Sequence, residues 1–416
     1  MNAAEAMTLA AISYRGCELN LADVHSRNIV AAEISRCLRT FPDVRDKWEL
    51  VWGPAGYHTI ASVLDISAMY VVRSLRESFT LAIVVRGTNP FSWRDWLSNL
   101  LIELKRWPYG GACADVRSSH STKFGLSILQ GLRSAPLPSP DYAQTMVECV
   151  QAAAARAEAR LGYAILKKIV NGRWRGKCEK VLIRALKLIV SCSIAVQCGN
   201  DADDMNSVDM SRGAARGTTL VEFLSAYVAD AGNAPVTIHV IGHSKGGALA
   251  AALGLWLADT QGMAVAPDQW DPSSKARIKV CSFAAPTPGN AGFTRHFEQK
   301  LPDAYRLMNP YDLVPHAWNA DEFEQIPTLY GEQSSELRQI VGSLDGRLRA
   351  SDYQHEIGSA RWTGVPLPQS SLLQRAAIEH FDAYLKVLGI YDQQNLNGLS
   401  LLAPIQGSSC GAGRYL

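Results

Sequence analysis

Gly242-His243-Ser244-Lys245-Gly246 is preceded by the apolar run VTIHVI and followed by a series of good helix formers, GALAAALGLWLAD. A serine held between glycines where a strand turns into a helix is placed for nucleophilic attack, with its hydroxyl exposed at the rim of a sheet. The tight turn forces an unfavourable backbone conformation on the serine, and neighbours without a Cβ, Gly242 and Gly246, relieve the crowding. The competing reading makes Ser244 an ordinary N-cap; a strand before and a helix after favour chemistry. A serine hydroxyl is a poor nucleophile until a base takes its proton and a carboxylate orients that base. At such a turn the partners follow in the order Ser, Asp or Glu, His. Asp312 fits the acid: it lies in RLMNPYDLVPHAW, just past an apolar strand, on a loop stiffened by Pro310 and Pro315. Three later histidines remain for the base, His316, His355 and His380. His316 is four residues from Asp312, with little freedom to reach back to Ser244, and His355 lies in a stretch without clear periodicity, SDYQHEIGSARW. His380, in AAIEHFDAYLKVL at a late helix, is the choice, with His355 as the alternative if that helix is misread.

The elements that must position these groups alternate. Helical spacing runs through LADVHSRNIVAAEISRCL, strands through AMYVVRSL and FTLAIVVRG, and a helix starts at KFGLSILQGL. Beyond residue 217 the pattern reads helix (TLVEFLSAYVADAG), strand, helix, strand (RIKVCSFAAP), helix (GFTRHFEQKL), strand (AYRLMN) and a late helix. This alternation defines an α/β class with a mostly parallel sheet. Val84 and Val85 fall in a nearly continuous apolar run, as a strand buried on both faces requires. FSWRDWLSNLLIELKRWPYGG has helical periodicity with unusually heavy apolar content. Between Pro-rich SAPLPSPDY and polar GNDADDMNSVDMSRGAARG the character changes, and residues 134–216 read as a helical, basic insertion. The division expected is a helical N-terminal region over 1–50, a core over 51–133 and 217–395, the 134–216 insertion, and a C-terminal tail over 396–416.

Several of these pieces resemble the class 3 lipases, the fungal-lipase-like branch of the α/β hydrolases: AIVVRGTNPFSWRDWLSNL, HVIGHSKGGALA, SFAAPTPGNAGF, RLMNPYDLVPHAW and EHFDAYL, in the family's order. The resemblance implies an α/β-hydrolase fold with a helical lid, and a serine carboxylic ester hydrolase of lipase or phospholipase A1 type acting on glycerolipids. It also implies an oxyanion hole made by Thr88, which closes the Arg-Gly-Thr turn, and by the backbone N–H of Lys245. It places the lid after that turn, with Trp93, Trp96, Leu97, Leu100 and Leu101 covering the serine in water and meeting acyl chains when open. Two departures stand out: the long insertion, and the lack of a signal peptide or disulfide pattern. The second points to a cytoplasmic, bacterial-type protein, or to export by a route without an N-terminal signal peptide.

Other classes are disfavoured. A net charge of +2 gives no field to recruit nucleic acid. The nine cysteines are scattered, without metal-ligand spacing, and neither a metal nor a cofactor is expected. Apolar runs fall short of the ~18 residues that span a bilayer. The insertion carries Lys167, Lys168, Arg173, Arg175, Lys177, Lys180, Arg184 and Lys187 against Glu179, so lid and insertion together are candidates for peripheral contact with anionic lipid. Nothing in the sequence identifies a protein partner. Two further readings are an esterase on small soluble esters and, from another class, a catalytically inert lipid-binding protein that keeps the hydrolase shell.

Overall fold

The computed structural model describes residues 1–21, 23–57, 67–89, 99, 101–111, 115–134, 217–263, 269–329, 335–355, 359–361 and 372–390. The main sheet holds β1 (Trp48–Tyr57), β2 (Ser67–Ser74), β3 (Thr80–Val85), β4 (Val236–His243), β5 (Ala276–Phe283), β6 (Tyr305–Met308) and β7 (Ser359–Arg361), side by side in chain order. The β1–β2 and β2–β3 pairs are antiparallel and the other four are parallel, as an α/β alternation demands.

The central strands are covered on both faces. Along β3, Leu81, Ile83 and Val85 enter one core, while Ala82 and Val84 enter the other. Every residue of β3 is buried, and from Leu81 on its run is apolar rather than alternating. The first face carries α3 (His120–Gly131), α4 (Leu220–Asp230), α5 (Lys245–Thr260) and α6 (Ala291–Lys300). Almost the whole of α5 is buried, which explains its lack of a polar stripe. The second face carries α1 (Ala3–Ile12), α2 (Val24–Thr40) and the last helical stretch. Met7, Leu9 and Ile12 are fully buried, worth about 2 kcal/mol each, so the N-terminal helices are core rather than an appendage. A capping box starts α1: Asn2 accepts from Glu5 N–H at 2.8 Å, and the Glu5 carboxylate also receives Trp48 Nε1 at 2.6 Å, tying α1 to β1.

Some elements differ from the sequence reading. Trp48–Tyr57 is a strand although Gly53-Pro54 interrupts it; it is the sheet's edge, where a missing N–H is tolerated. The helical reading of residues 91–111 fails over its second half. Leu101 is not helical, and Leu104–Arg106 pairs antiparallel with Arg117–Ser119 in a small second sheet, tertiary pairing overriding the leucine spacing. A helix, α7 (Ser335–Ser351), lies where no element was expected. The lid residues Trp93, Trp96, Leu97 and Leu100 lie outside the described residues, as do positions 135–216 and the tail. The bases of that long segment are described: Arg133–Ser134 pairs antiparallel with Thr218–Thr219. Trp52 Nε1 donates to Thr218 O at 3.0 Å and Gly53 N–H to Ser134 Oγ at 2.9 Å, which fastens this short ribbon to edge strand β1.

Candidate active site

Strand β4 delivers Ser244 to the rim and α5 begins at the next residue. Ser244 has φ +61° and ψ −135°, outside the regions a side chain prefers. Two close approaches make that turn possible. A Cβ on Gly242 would fall 1.9 Å from Gly246 O, and one on Gly246 would fall 2.4 Å from Val85 O. Both glycines are needed for space. The Ser244 hydroxyl makes no capping bond to α5, so the N-cap alternative fails. It lies 2.9 Å from His380 Nε2 instead.

His380 Nδ1 faces Asp312 at 2.9 Å (Oδ2) and 3.0 Å (Oδ1). With Nδ1–H donating to the carboxylate, Nε2 is left to accept the serine proton. Asp312 is fully buried, and its oxygens also accept from Tyr384 Oη at 3.0 Å and Val314 N–H at 3.0 Å. Burial and the neighbouring Asp312 push the Tyr384 phenol well above its ordinary range, so it stays a donor. His380 occupies a π-helical turn, Ile378–Asp382, between helical pieces Leu372–Ala377 and Ala383–Val387. The other two candidate bases lie elsewhere. His316 Nε2 donates to Pro310 O at 3.0 Å, and His355 Nε2 lies 3.1 Å from Thr287 Oγ1 and 3.3 Å from Glu322.

Thr88 follows the end of β3, whose Val85 pairs with Gly242 beside the elbow. A Cβ on Gly87 would lie 3.1 Å from Ser244 Cβ, so the Arg86–Thr88 turn runs against the serine. Asn99 Nδ2 donates to Thr88 Oγ1 at 2.8 Å, leaving the Thr88 hydroxyl hydrogen to be donated elsewhere. Lys245 is the first residue of α5, where backbone N–H groups and the helix dipole face the rim.

Tyr14, beyond the end of α1, was not singled out by the sequence. Its hydroxyl lies 3.0 Å from His243 Nδ1, while His243 Nε2 donates to the His380 carbonyl at 2.8 Å. The tautomer is thereby set, and Tyr14 donates to Nδ1. His243 thus props the backbone of the residue that faces Ser244. Lone tyrosines carry no motif, so only the fold reveals this one.

Burial pushes two imidazoles of β4 down: His239 to about 4, helped by the amino terminus and Lys279, and His243 well below its ordinary range, helped by His380. An unfolded histidine takes up its proton near 6.5. Below that pH the unfolded chain binds more protons than the folded one, so stability is present above about 6.5 and lost as pH falls toward 4. Each group contributes a slope of at most about 1.4 kcal/mol per pH unit. Melting temperatures measured from about pH 7 to about pH 5 are expected to fall, and less steeply for His239→Asn. Equal slopes for the two proteins would exclude His239 as a source.

Among the described residues no cluster of His, Cys, Asp and Glu is arranged to hold a metal ion, and no described helix is long and apolar enough to cross a membrane.

The mostly parallel sheet, the turn after a central strand, and helices on both faces make an α/β-hydrolase fold. The crystal structure of M37 lipase has the same fold, with a TM-score of 0.67 at 24% identity, covering 97% of this chain and 98% of that one. The family model for class 3 lipases matches residues 208–322, so the resemblance read from the sequence holds over the segment that carries Ser244 and Asp312. A lipase of Caenorhabditis elegans, ZK262.3, is 35% identical over 79 residues; the match spans 19% of this chain and 20% of that protein's length. Lip2 lipase from Yarrowia lipolytica aligns over 94% of this chain and 92% of its own, with 13% identity and a TM-score of 0.39.

Proposed function

We propose that this protein is a serine carboxylic ester hydrolase that acts on glycerolipids. The observation that carries the reading is the unbroken hydrogen-bond chain from Ser244 Oγ through His380 to buried Asp312. The lipase family match and the shared fold support a lipolytic hydrolase.

In this reading Ser244 Oγ attacks the ester carbonyl while His380 Nε2 takes its proton. The carbonyl oxygen becomes an oxyanion, received by the N–H groups of Thr88 and Lys245, each worth about 3 kcal/mol in the transition state. Collapse breaks the bond to the leaving alcohol, which departs with the proton from His380. Water, activated by the same imidazole, then cleaves the acyl-enzyme and restores the serine. Asp312 fixes the ring's tautomer and stabilises its charged form. Tyr384 and Val314 hold the carboxylate in place.

The basic stretch between Lys167 and Lys187 favours an anionic phospholipid over a neutral glyceride as substrate. Hydrolysis of long-chain phosphatidylglycerol vesicles is expected to exceed that of triacylglycerol emulsions and of short nitrophenyl esters. Turning the arginines and lysines of this stretch to glutamine should weaken vesicle flotation while sparing the short esters. Equal activity on all three substrates, with flotation unchanged, would remove the phospholipid preference and leave a general esterase.

A further inference from the structure

Glu379 precedes His380, is 2% exposed, and takes no part in the chain to Ser244. Its Oε2 accepts from Asn309 Nδ2 at 2.7 Å, and the same nitrogen donates to the Glu379 carbonyl at 3.0 Å. Asn309 is fully buried, and its remaining polar groups go to the other side of the site. Its Oδ1 accepts from Tyr311 N–H at 3.0 Å and its carbonyl from Asp312 N–H at 3.0 Å, which fixes the loop that bears the acid. Its own N–H donates to Tyr384 Oη at 2.9 Å, the hydroxyl that in turn donates to Asp312. Asn309 therefore binds the acid loop with its backbone and Oδ1, and the turn bearing His380 with its amide nitrogen.

We propose that Asn309 and Glu379 are positioning residues, a clasp that fixes the π-helical turn, and with it the His380 ring, against Asp312. The proposal rests on the hydrolase reading above. A π-helical turn is rare and persists where its surroundings hold it. Among the hydrogen bonds that reach its backbone and Glu379 from outside its own helix are those of His243 to the His380 carbonyl and of Asn309 to Glu379. Releasing the second lets the turn relax toward regular α-helix, which would displace the ring from both partners. A displacement of about 1 Å at a reacting group costs about 100-fold in rate. Asn309 needs only an acceptor from Glu379, which an amide oxygen also provides.

The test compares full-length Glu379→Gln, Glu379→Leu and Asn309→Ala with wild type. Readouts are kcat and KM on a soluble nitrophenyl ester, the rate of labelling by a fluorophosphonate probe, and the melting temperature. Glu379→Gln keeps the acceptor and is expected to stay within a few-fold of wild type. Glu379→Leu fills similar volume without a side-chain acceptor, leaving Asn309 Nδ2 the main-chain carbonyl alone, and Asn309→Ala removes the donor; both are expected to lose about 100-fold in kcat and in labelling rate with KM unchanged. A Leu variant as active as wild type overturns the proposal, and so does a Gln variant as impaired as the Leu variant. If Glu379→Leu and Asn309→Ala do not melt cooperatively, Asn309→Asp decides: it keeps Oδ1 for Tyr311 but sets a carboxylate against Glu379, and wild-type kcat there overturns the clasp. Ser244→Ala in the same assay separates the two levels. Hydrolysis surviving that change sinks the hydrolase reading, whereas Ser244-dependent hydrolysis untouched by the clasp variants sinks only the clasp.

Discussion

Ser244→Ala is expected to lower ester hydrolysis by roughly five to six orders of magnitude while leaving the melting temperature unchanged or raised. The size follows from the part the hydroxyl plays in the proposed reaction, where it is the attacking atom, and no other hydroxyl takes its place opposite His380 Nε2 among the described contacts. What survives comes from the oxyanion donors and from binding, typically about three to four orders above the uncatalysed rate. The stability expectation follows from the hydrogen bonds. Ser244 Oγ does not cap α5, and the backbone links of the turn, Ser244 N–H to Phe283 O at 2.8 Å and Gly247 N–H to Ser244 O at 2.8 Å, do not involve the side chain. Removing a polar group from a strained, partly desolvated turn is among the changes that trade activity for stability. Initial rates on a soluble ester, read beside a thermal melt, check both halves. Hydrolysis within tenfold of wild type would mean that Ser244 is not the nucleophile.

Gly242→Ala is expected to be the most damaging of the small changes to the fold. The added methyl would meet Gly246 O at 1.9 Å, Gly246 C at 2.2 Å and Gly247 N at 2.8 Å, all of them backbone atoms. No rotamer relieves a Cβ clash, so α5 must shift away from β4, and α5 packs against β3, β4 and β5. The cost belongs to the overpacking class, at about 3 kcal/mol or more, and the elbow loses its shape with it. Gly342→Ala serves as the control. That glycine lies inside α7 with nothing within 4 Å of an added Cβ, so the same substitution is expected to stabilise by up to about 1 kcal/mol. Chemical denaturation and fluorophosphonate labelling of the three proteins measure the contrast. A Gly242→Ala protein with wild-type midpoint and labelling would show that the turn has more room than its contacts indicate.

The three residues that the candidate site brings together were legible in the sequence because each is announced locally. Ser244 has a strand before it and a helix after it, Asp312 follows a strand on a Pro-stiffened loop, and His380 comes late in the order such a site requires. The groups that hold them in place were not legible. Tyr384 reads as one more aromatic in a helix, Asn309 as a loop polar, and Glu379 as a helix-surface charge, although all three are buried. Tyr14 stands 229 positions from the histidine it contacts. Periodicity reports which face of an element is apolar and says nothing of pairs this far apart in the chain. The fold shows the same division. Continuous apolar runs revealed β3 and β4, but Gly53-Pro54 masked β1, and leucine spacing that suits a helix hid the strand Leu104–Arg106.

The ribbon made by Arg133–Ser134 and Thr218–Thr219 brings two points of the chain 84 residues apart into register at the edge of the fold. Two chain ends that already lie in antiparallel register can be joined by a two-residue turn, and the loop-closure entropy of a longer connection grows only slowly with its length. A connection of a different length or sequence can therefore join these two ends without re-laying the main sheet. In the laboratory the same seam is a place to graft a binding module of choice.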